Sequence, residues 1–365
     1  MKKIFLNAYD KQNLGDDLFI HTICNRYPKT KFYLWSDKQN KDNFKRVKNL
    51  VVVGEHTRFV RVLKKIRPSL VARYKLKLQK KSKAMVYIGG SIFMEYVDWQ
   101  SSINWWRYWT DNFPYYAIGC NWGPYKTEEY LQGMTTVYEK MQDVCFRDKY
   151  SYEKFSHVST VRQAPDILFS YPIPLVSVHK KSLFVSLINC EAKDEGNAAS
   201  IGTFSASYLD RLSKLLIEYV KNGYTITLAS FSKIEGDEEA VAFLREKMGI
   251  PETDERVKNL FYDGKNHEEM LSALASAEGV IATRFHAAIL SIAAGRPVLP
   301  IVYSDKTLHV LEDIGFAGKV LDLRKEEAIS FDKAQENFKN LQLPDREILA
   351  KDAQEHFARL DKIFK

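Results

Sequence analysis

Arg284 and His286 stand two residues apart in the stretch 280–306, VIATRFHAAILSIAAGRPVLPIVYSDK. Val280, Ile281 and Ala282 suit a buried strand that ends at Thr283, and AAILSIAA suits a helix that Gly295 stops. PVLPIVY then reads as the next buried strand. A strand turning directly into a helix puts its last residues at the carboxyl edge of a parallel sheet, where open α/β folds bind ligands. A guanidinium fork beside the N–H groups of a helix start makes a site for a small anion. The imidazole titrates near neutrality and can both give and take a proton. The plainer alternative is that Arg284 ion-pairs on the surface while His286 caps the helix. The helix dipole opposes an arginine at this position unless an anion is near, which favours function.

The elements that must position this pair alternate along the chain. KKIFLNA, KFYLWSD, LVVVGE, AMVYIGGS, the start of YYAIGCNWGPY and DVCFRD read as strands with helical or loop segments between them, and SLFVSLIN opens a second such series. Alternation of this kind predicts parallel sheets covered on both faces. At 365 residues two domains are expected. Pro172 and Pro174 interrupt the pattern, so the predicted domains are 1–174 and 175–344, with a C-terminal helix in 345–365 packing back on the first. The fold class is α/β, two Rossmann-like domains facing across a cleft lined by the carboxyl ends of both sheets. The start MKKIFLNAYDKQ lacks the apolar length of a signal peptide, and no run is long enough to span a bilayer. Cys24, Cys120, Cys145 and Cys190 show neither CxxC nor metal spacing and read as buried thiols of a cytoplasmic protein. No metal or cofactor is expected.

The net charge of +8 is unevenly spread. Between His56 and Lys83 there is no Asp or Glu, while eleven Lys and Arg alternate with Phe59, Val62, Ile66 and other apolar residues, broken once at Pro68. Such a stretch (58–83) could lie on an anionic membrane surface, contact another polyanion, or form a solvated face. Eleven like charges without a counter-ion favour the membrane surface, at its inner face. No nucleic-acid module accompanies the charge, so nucleic acid is not an expected partner. From Phe93 to Tyr116 aromatic residues are dense, which suits a core, an interfacial belt or a platform for sugar rings.

Several stretches in order resemble the polysaccharide pyruvyl transferase family: N-x-G-D at 13–16, GGS at 89–91, FRDKYS at 146–151, APD at 164–166, and TRFHAAILSIAAGRPVLPIVYSDK at 283–306. The resemblance spans nearly the whole chain, and the last motif is the most specific. It implies a GT-B-like fold and a transferase that moves the enolpyruvyl group of phosphoenolpyruvate onto a sugar hydroxyl pair. The product would be a pyruvate ketal on a cell-surface glycan, exopolysaccharide or capsule, or on a lipid-linked precursor. Two departures stand out: the usual GGG is GGS here, and Asn189 ends a strand where many members carry an arginine.

Phosphoenolpyruvate has a phosphate and a carboxylate and calls for several cationic or N–H contacts. On this reading Arg284, Phe285, His286, Lys306, Asn189 and Arg147 form the donor side. Asn13, Asp16, Asp17, Gly90, Ser91 and Trp122 form the acceptor side, with His286, Arg284 and Asp16 catalytic. Helix capping competes for Asp16 and Asp17, and a pair with Asp148 or Glu153 competes for Arg147. Two alternatives remain open: a GT-B nucleotide-sugar glycosyltransferase, and a non-catalytic glycan or membrane-surface binder.

Overall fold

The computed structural model describes residues 1–36, 42–192, 201–325 and 327–365. They form two compact units. The first comprises Met1–Asp10, Asp16–Ile167 and Lys351–Lys365, the second Lys11–Gly15 and Leu168–Ala350.

The first unit is built on seven parallel strands: β1 (Lys3–Ala8), β2 (Lys31–Trp35), β3 (Leu50–Val53), β4 (Ala84–Ile88), β5 (Tyr115–Cys120), β6 (Asp143–Phe146) and β7 (Val161–Gln163). Their order is β3-β2-β1-β4-β5-β6-β7. The second unit holds β8 (Ser182–Ser186), β9 (Thr225–Ser230), β10 (Val257–Phe261), β11 (Gly279–Ala282), β12 (Val298–Val302) and β13 (Leu321–Asp322), in the order β10-β9-β8-β11-β12-β13. Both orders run outward from the first strand, then jump back across it, which is the Rossmann arrangement. The reversal lies between β1 and β4 in one sheet and between β8 and β11 in the other. Loops leaving the carboxyl ends at such a reversal diverge and leave room for a ligand.

The inner strands are apolar throughout because helices cover both faces. All six residues of β5 and all five of β12 are buried. Each unit has its own core. In the second, Val185, Ile226, Leu228, Ile281 and Leu299 pack under the helix Ser205–Lys221. In the first, Phe93, Trp106, Tyr115 and Tyr138 fill one side of the sheet. The helix Phe285–Ala293 follows β11 after two residues, and Gly295 closes it at φ 68°.

Three features differ from the sequence expectation. The chain enters the second unit at Leu168 and returns at Lys351, so 168–174 belong with the second unit and 345–350 do not join the first. Residues 11–15 belong to the second unit although they sit between β1 and the rest of the helix Leu14–Arg26. The helices Asp305–Asp313 and Phe331–Asn340 were not expected, being largely polar in sequence. The basic stretch, by contrast, forms two helices, Arg58–Ile66 and Ser69–Lys80, parted at Pro68.

Candidate functional site

In the second unit the carboxyl ends of β8, β9 and β11 converge. Thr283 donates its N–H to the carbonyl of Ser186 (3.1 Å), and its hydroxyl meets the Tyr208 hydroxyl at 2.8 Å. The next residue, Arg284, sits in extended conformation at the N-cap of the helix Phe285–Ala293 and donates its N–H to Oγ of Ser186 (3.3 Å). Its side chain turns into the protein rather than outward, with 5% of the residue exposed.

The guanidinium is held by carboxylates. Nε donates to Asp237 at 2.8 Å, Nη2 donates to the other oxygen of the same carboxylate, and Nη1 reaches Glu235 at 2.5 Å. Burial alone would lower the pKa of Arg284, but the charges of Asp237 and Glu235 outweigh it and hold the value well above normal. Asp237 is fully buried and also accepts the N–H groups of Phe231 and Ser232, both at 3.0 Å. Asp237 thus fixes the loop after β9 to the loop after β11. All three guanidinium nitrogens are thus committed to carboxylates, so Arg284 as arranged here does not offer its fork to an anion. That corrects the expected donor-clamp role, and it equally removes the surface ion pair, because the partners are interior.

Glu235 has a second donor in Nδ2 of Asn13 (3.0 Å), whose Oδ1 accepts the N–H of Gly15 (3.2 Å). Leu14 adds a backbone bond to the Phe231 carbonyl (3.0 Å). With both ends of its amide engaged, Asn13 ties 11–15 to this cluster; a role in holding an acceptor is not what it does here. Gly15 then lies against His286: a Cβ at position 15 would stand 1.8 Å from Nδ1 and 2.2 Å from Cγ of the imidazole. His286 is half-buried, with its ring 5.0 Å from that of Phe285 in an edge-to-face contact. The expected pair therefore separates into a buried, neutralised arginine and a partly accessible histidine.

Asn189 follows β8. Its Oδ1 accepts from the N–H groups of Glu191 (3.0 Å) and Ala192 (3.3 Å), and its Nδ2 would lie 2.7 Å from a Cβ at Gly236. The amide thus supports the 231–237 loop, with only its N–H side suited to an anion. Lys306 lies half-buried in the first turn of Asp305–Asp313, after β12. Glu278 accepts from the N–H of Lys181 (2.6 Å) at the amino end of β11, remote from these turns along the strand.

In the first unit, Arg147 follows β6 and is 6% exposed. Its guanidinium is engaged by partners other than the expected Asp148 or Glu153. Nη1 meets Asp166 at 3.0 Å and Nη2 meets Oδ1 of Asn121 at 2.9 Å. Asp148 instead caps Lys149–Lys154 through Ser151. A Cβ at Gly90 would be 2.5 Å from the Arg147 guanidinium, so the close approach of that arginine asks for a glycine here. Ser91 is exposed, with Oγ 3.5 Å from Asn121. Asp17 is fully buried and accepts from Asn43 (3.4 Å), which corrects its expected place in the acceptor side; Asp16 beside it is half-buried. Trp122 is also corrected. It is 1% exposed, stacked on Tyr130 at 5.1 Å with Phe155 edge-on at 4.8 Å, and is a core residue because its large apolar face is worth more buried.

The sequence model of the polysaccharide pyruvyl transferase family matches residues 13–305. The chain belongs to that family. Its match begins at Asn13 and ends at Asp305, a helix and a strand past His286, so it encloses Asn13, Glu235, Asp237, Arg284 and His286. Among solved structures, the chain is similar to Alr3699/HepE of Anabaena in complex with UDP and glucose (13% identity, 100% of this chain and 96% of that one, TM-score 0.55). It is also similar to UDP-GlcNAc 2-epimerase from Methanocaldococcus jannaschii (10%, 99% and 100%, 0.59) and to sucrose-phosphate synthase from Thermosynechococcus elongatus (12%, 100% and 95%, 0.55). At these identities the likeness concerns the fold, which is GT-B-like, with two Rossmann-like units.

Glu235 and Asp237, central to the cluster, were not singled out from the sequence, nor was Asn121, and Asp166 entered only within the APD motif, with no role assigned. The run EGDEE at 235–239, separated from TITLAS by four residues, was the available signal: acidic residues near a carboxyl edge ask for a cation.

Proposed function

We propose that this family member transfers the enolpyruvyl group of phosphoenolpyruvate onto two hydroxyls of a sugar, on a surface glycan or its lipid-linked precursor, releasing phosphate. The observation that carries this reading is that two motifs of the family match, far apart in sequence, come together, with the Gly15 backbone against the His286 imidazole. In this reaction C3 of the donor gains a proton and C2 becomes oxocarbenium-like. One sugar oxygen bonds to C2 and the C2–O bond to phosphate breaks; the second sugar oxygen closes the ketal. Of the two hydroxyl protons released, one balances the new methyl group and the other leaves on phosphate. His286 is the group suited to relay them near neutral pH. Asp16, next in the chain after Gly15, is proposed to orient the acceptor hydroxyl. The donor anion falls to Lys306, to Nδ2 of Asn189 and to the start of the helix Phe285–Ala293, while Arg284 braces the turn. A lipid-linked acceptor would place the enzyme at the cytoplasmic face of a membrane; among the described residues no helix is long and apolar enough to cross one.

The test is phosphate release from phosphoenolpyruvate with a panel of free and lipid-linked glycans. Release should require an acceptor, and His286→Ala should slow it by about 10²–10⁴ without unfolding the chain. Several proteins of this fold were solved with UDP or a UDP-sugar, so nucleotide sugars form the parallel arm. Their consumption in place of phosphoenolpyruvate would establish a glycosyltransferase. Binding of glycan with no turnover in either arm, unchanged in His286→Ala, would leave a non-catalytic binder.

A further inference from the structure

The helices Arg58–Ile66 and Ser69–Lys80 cover one face of the first sheet: Val60 and Leu78 enter the same core as Ile103 and Trp106 of the helix Trp99–Asn112. Their outer side is unusual. Phe59 is 53% exposed, Val62 49% and Ile66 69%. At about 100° per residue these three fall within one arc of roughly 60°, turned away from Val60. Arg58, Arg61 and Lys65 border that arc on its far side and are all exposed. Among the eleven cations of 58–83, Lys64 pairs with Glu55 and Lys75 lies over the Trp35 ring. No acidic residue lies within the stretch to neutralise the others. On the helix Trp99–Asn112, which packs on the same side of the sheet, Trp105 and Tyr108 are also exposed, at 45% and 49%.

We infer that this face docks on an anionic lipid bilayer, with Phe59, Val62 and Ile66 entering the headgroup boundary and the flanking arginines and lysines contacting lipid phosphates. The occupant follows from two features acting together. A soluble polyanion would be held by the cations but gives Val62 and Ile66 no apolar phase to enter. A lipid surface satisfies both, and exposed Trp and Tyr are suited to the same boundary, since their rings carry an apolar body and a polar edge. Val62 and Ile66 stand exposed on this side, with Phe59 beside them edge-on to Tyr74 at 5.1 Å, an apolar strip that a lipid boundary can cover. The inference is independent of which transfer reaction the second unit performs.

The experiment is flotation of the whole chain with vesicles of phosphatidylcholine alone or mixed with phosphatidylglycerol, beside retention on heparin. The parent should float with the mixed vesicles, not with phosphatidylcholine alone, and added salt should weaken the attachment. Replacing Arg58, Arg61 and Lys65 by Gln should lower affinity about a hundredfold, at roughly fivefold per charge. Val62→Ser with Ile66→Ser should lower vesicle affinity on the order of tenfold and leave heparin retention unchanged. All of these side chains are exposed, so an unchanged thermal midpoint should accompany each variant. Retention on heparin without vesicle binding would overturn the inference in favour of a soluble polyanion. Unchanged vesicle affinity in the serine pair would overturn the insertion of the strip, and failure of the parent to bind either would overturn the whole.

Discussion

A methyl group on Gly15 would stand inside the side chain of His286, 1.8 Å from Nδ1, 2.2 Å from Cγ and 2.7 Å from Cβ, so stability and activity are coupled at this position. Gly15 lies in the first turn of the helix Leu14–Arg26 and is not among the residues with positive φ, so alanine suits its backbone. Alanine in a helix gains up to about 1 kcal/mol over glycine. The imidazole must swing aside, and because Cβ of His286 would itself stand 2.7 Å from the new methyl group, the backbone of one segment must shift as well. Gly15→Ala should therefore lower stability by about 1–3 kcal/mol through overpacking, seen as a lower thermal midpoint, while turnover, measured as phosphate released from phosphoenolpyruvate, falls about tenfold to a hundredfold. Parent-like turnover would show that the observed His286 rotamer is not the working one. The sequence made Asn13, Gly15, Arg284 and His286 legible as motifs, because residue types that do chemistry are visible without a structure. It did not show that Glu235 and Asp237 neutralise Arg284, since those carboxylates come from another strand's loop and only the sheet order makes them neighbours.

At the scale of elements, the segment Lys351–Lys365 is fixed to the first unit by buried polar contacts. Asp361 bridges Arg26 at 2.6 Å and accepts from the Tyr27 hydroxyl at 2.7 Å, while the rings of Phe357 and Phe364 lie against Tyr27. His356 is fully buried: Nδ1 accepts from the N–H of Gly119 (3.2 Å), and Nε2 carries the proton donated to the Pro165 carbonyl (2.9 Å). Burial, with the positive charge of Arg162 next, pushes its pKa down from 6.5 to about 3. The unfolded chain thus binds more protons between those values, so stability from this group is complete above about pH 6.5 and is lost as pH falls toward 3. The full loss is on the order of 5 kcal/mol. Asp361, held at about 2, loses its contribution only below the ordinary carboxylate range, so it does not act in the window above pH 4. Urea midpoints followed from about pH 7 to 4 should fall steeply in the parent and less steeply in His356→Gln; equal slopes would mean that some other group titrates there. A helix near the C terminus was readable from its apolar spacing. The histidine lock was not, because a lone His among polar residues carries no signal until the carbonyl and N–H that surround it are known. The alternation of strands and helices was readable for the opposite reason: buried parallel strands are uniformly apolar, and such runs stand out locally.

Across the whole molecule, the two cores make a ligand assignment testable without knowing the acceptor. All six tryptophans, Trp35, Trp99, Trp105, Trp106, Trp109 and Trp122, belong to the first unit, whereas helices and strands of both units contribute to far-ultraviolet circular dichroism. Tryptophan fluorescence therefore follows one core and dichroism follows both. The second core is filled by other residues, among them Leu212, Leu216, Tyr219, Ile226 and Leu299. A ligand that binds only the folded form stabilises it by about 2.7 kcal/mol at a hundred times its dissociation constant. For a unit of this size that is roughly 5–10 °C in midpoint. If the donor is held by His286, Lys306 and Asn189, phosphoenolpyruvate should raise the part of the dichroism transition that tryptophan fluorescence does not see, and should leave the fluorescence midpoint nearly still. Lys306→Ala should abolish that rise. A shift of the tryptophan midpoint instead would move the donor to the first unit, where Arg147 beside Asn121 and Asp166 is the cation in reach of its reversal point. One common transition moved in both signals would show that the interleaved segments 11–15 and 351–365 make the two cores unfold together.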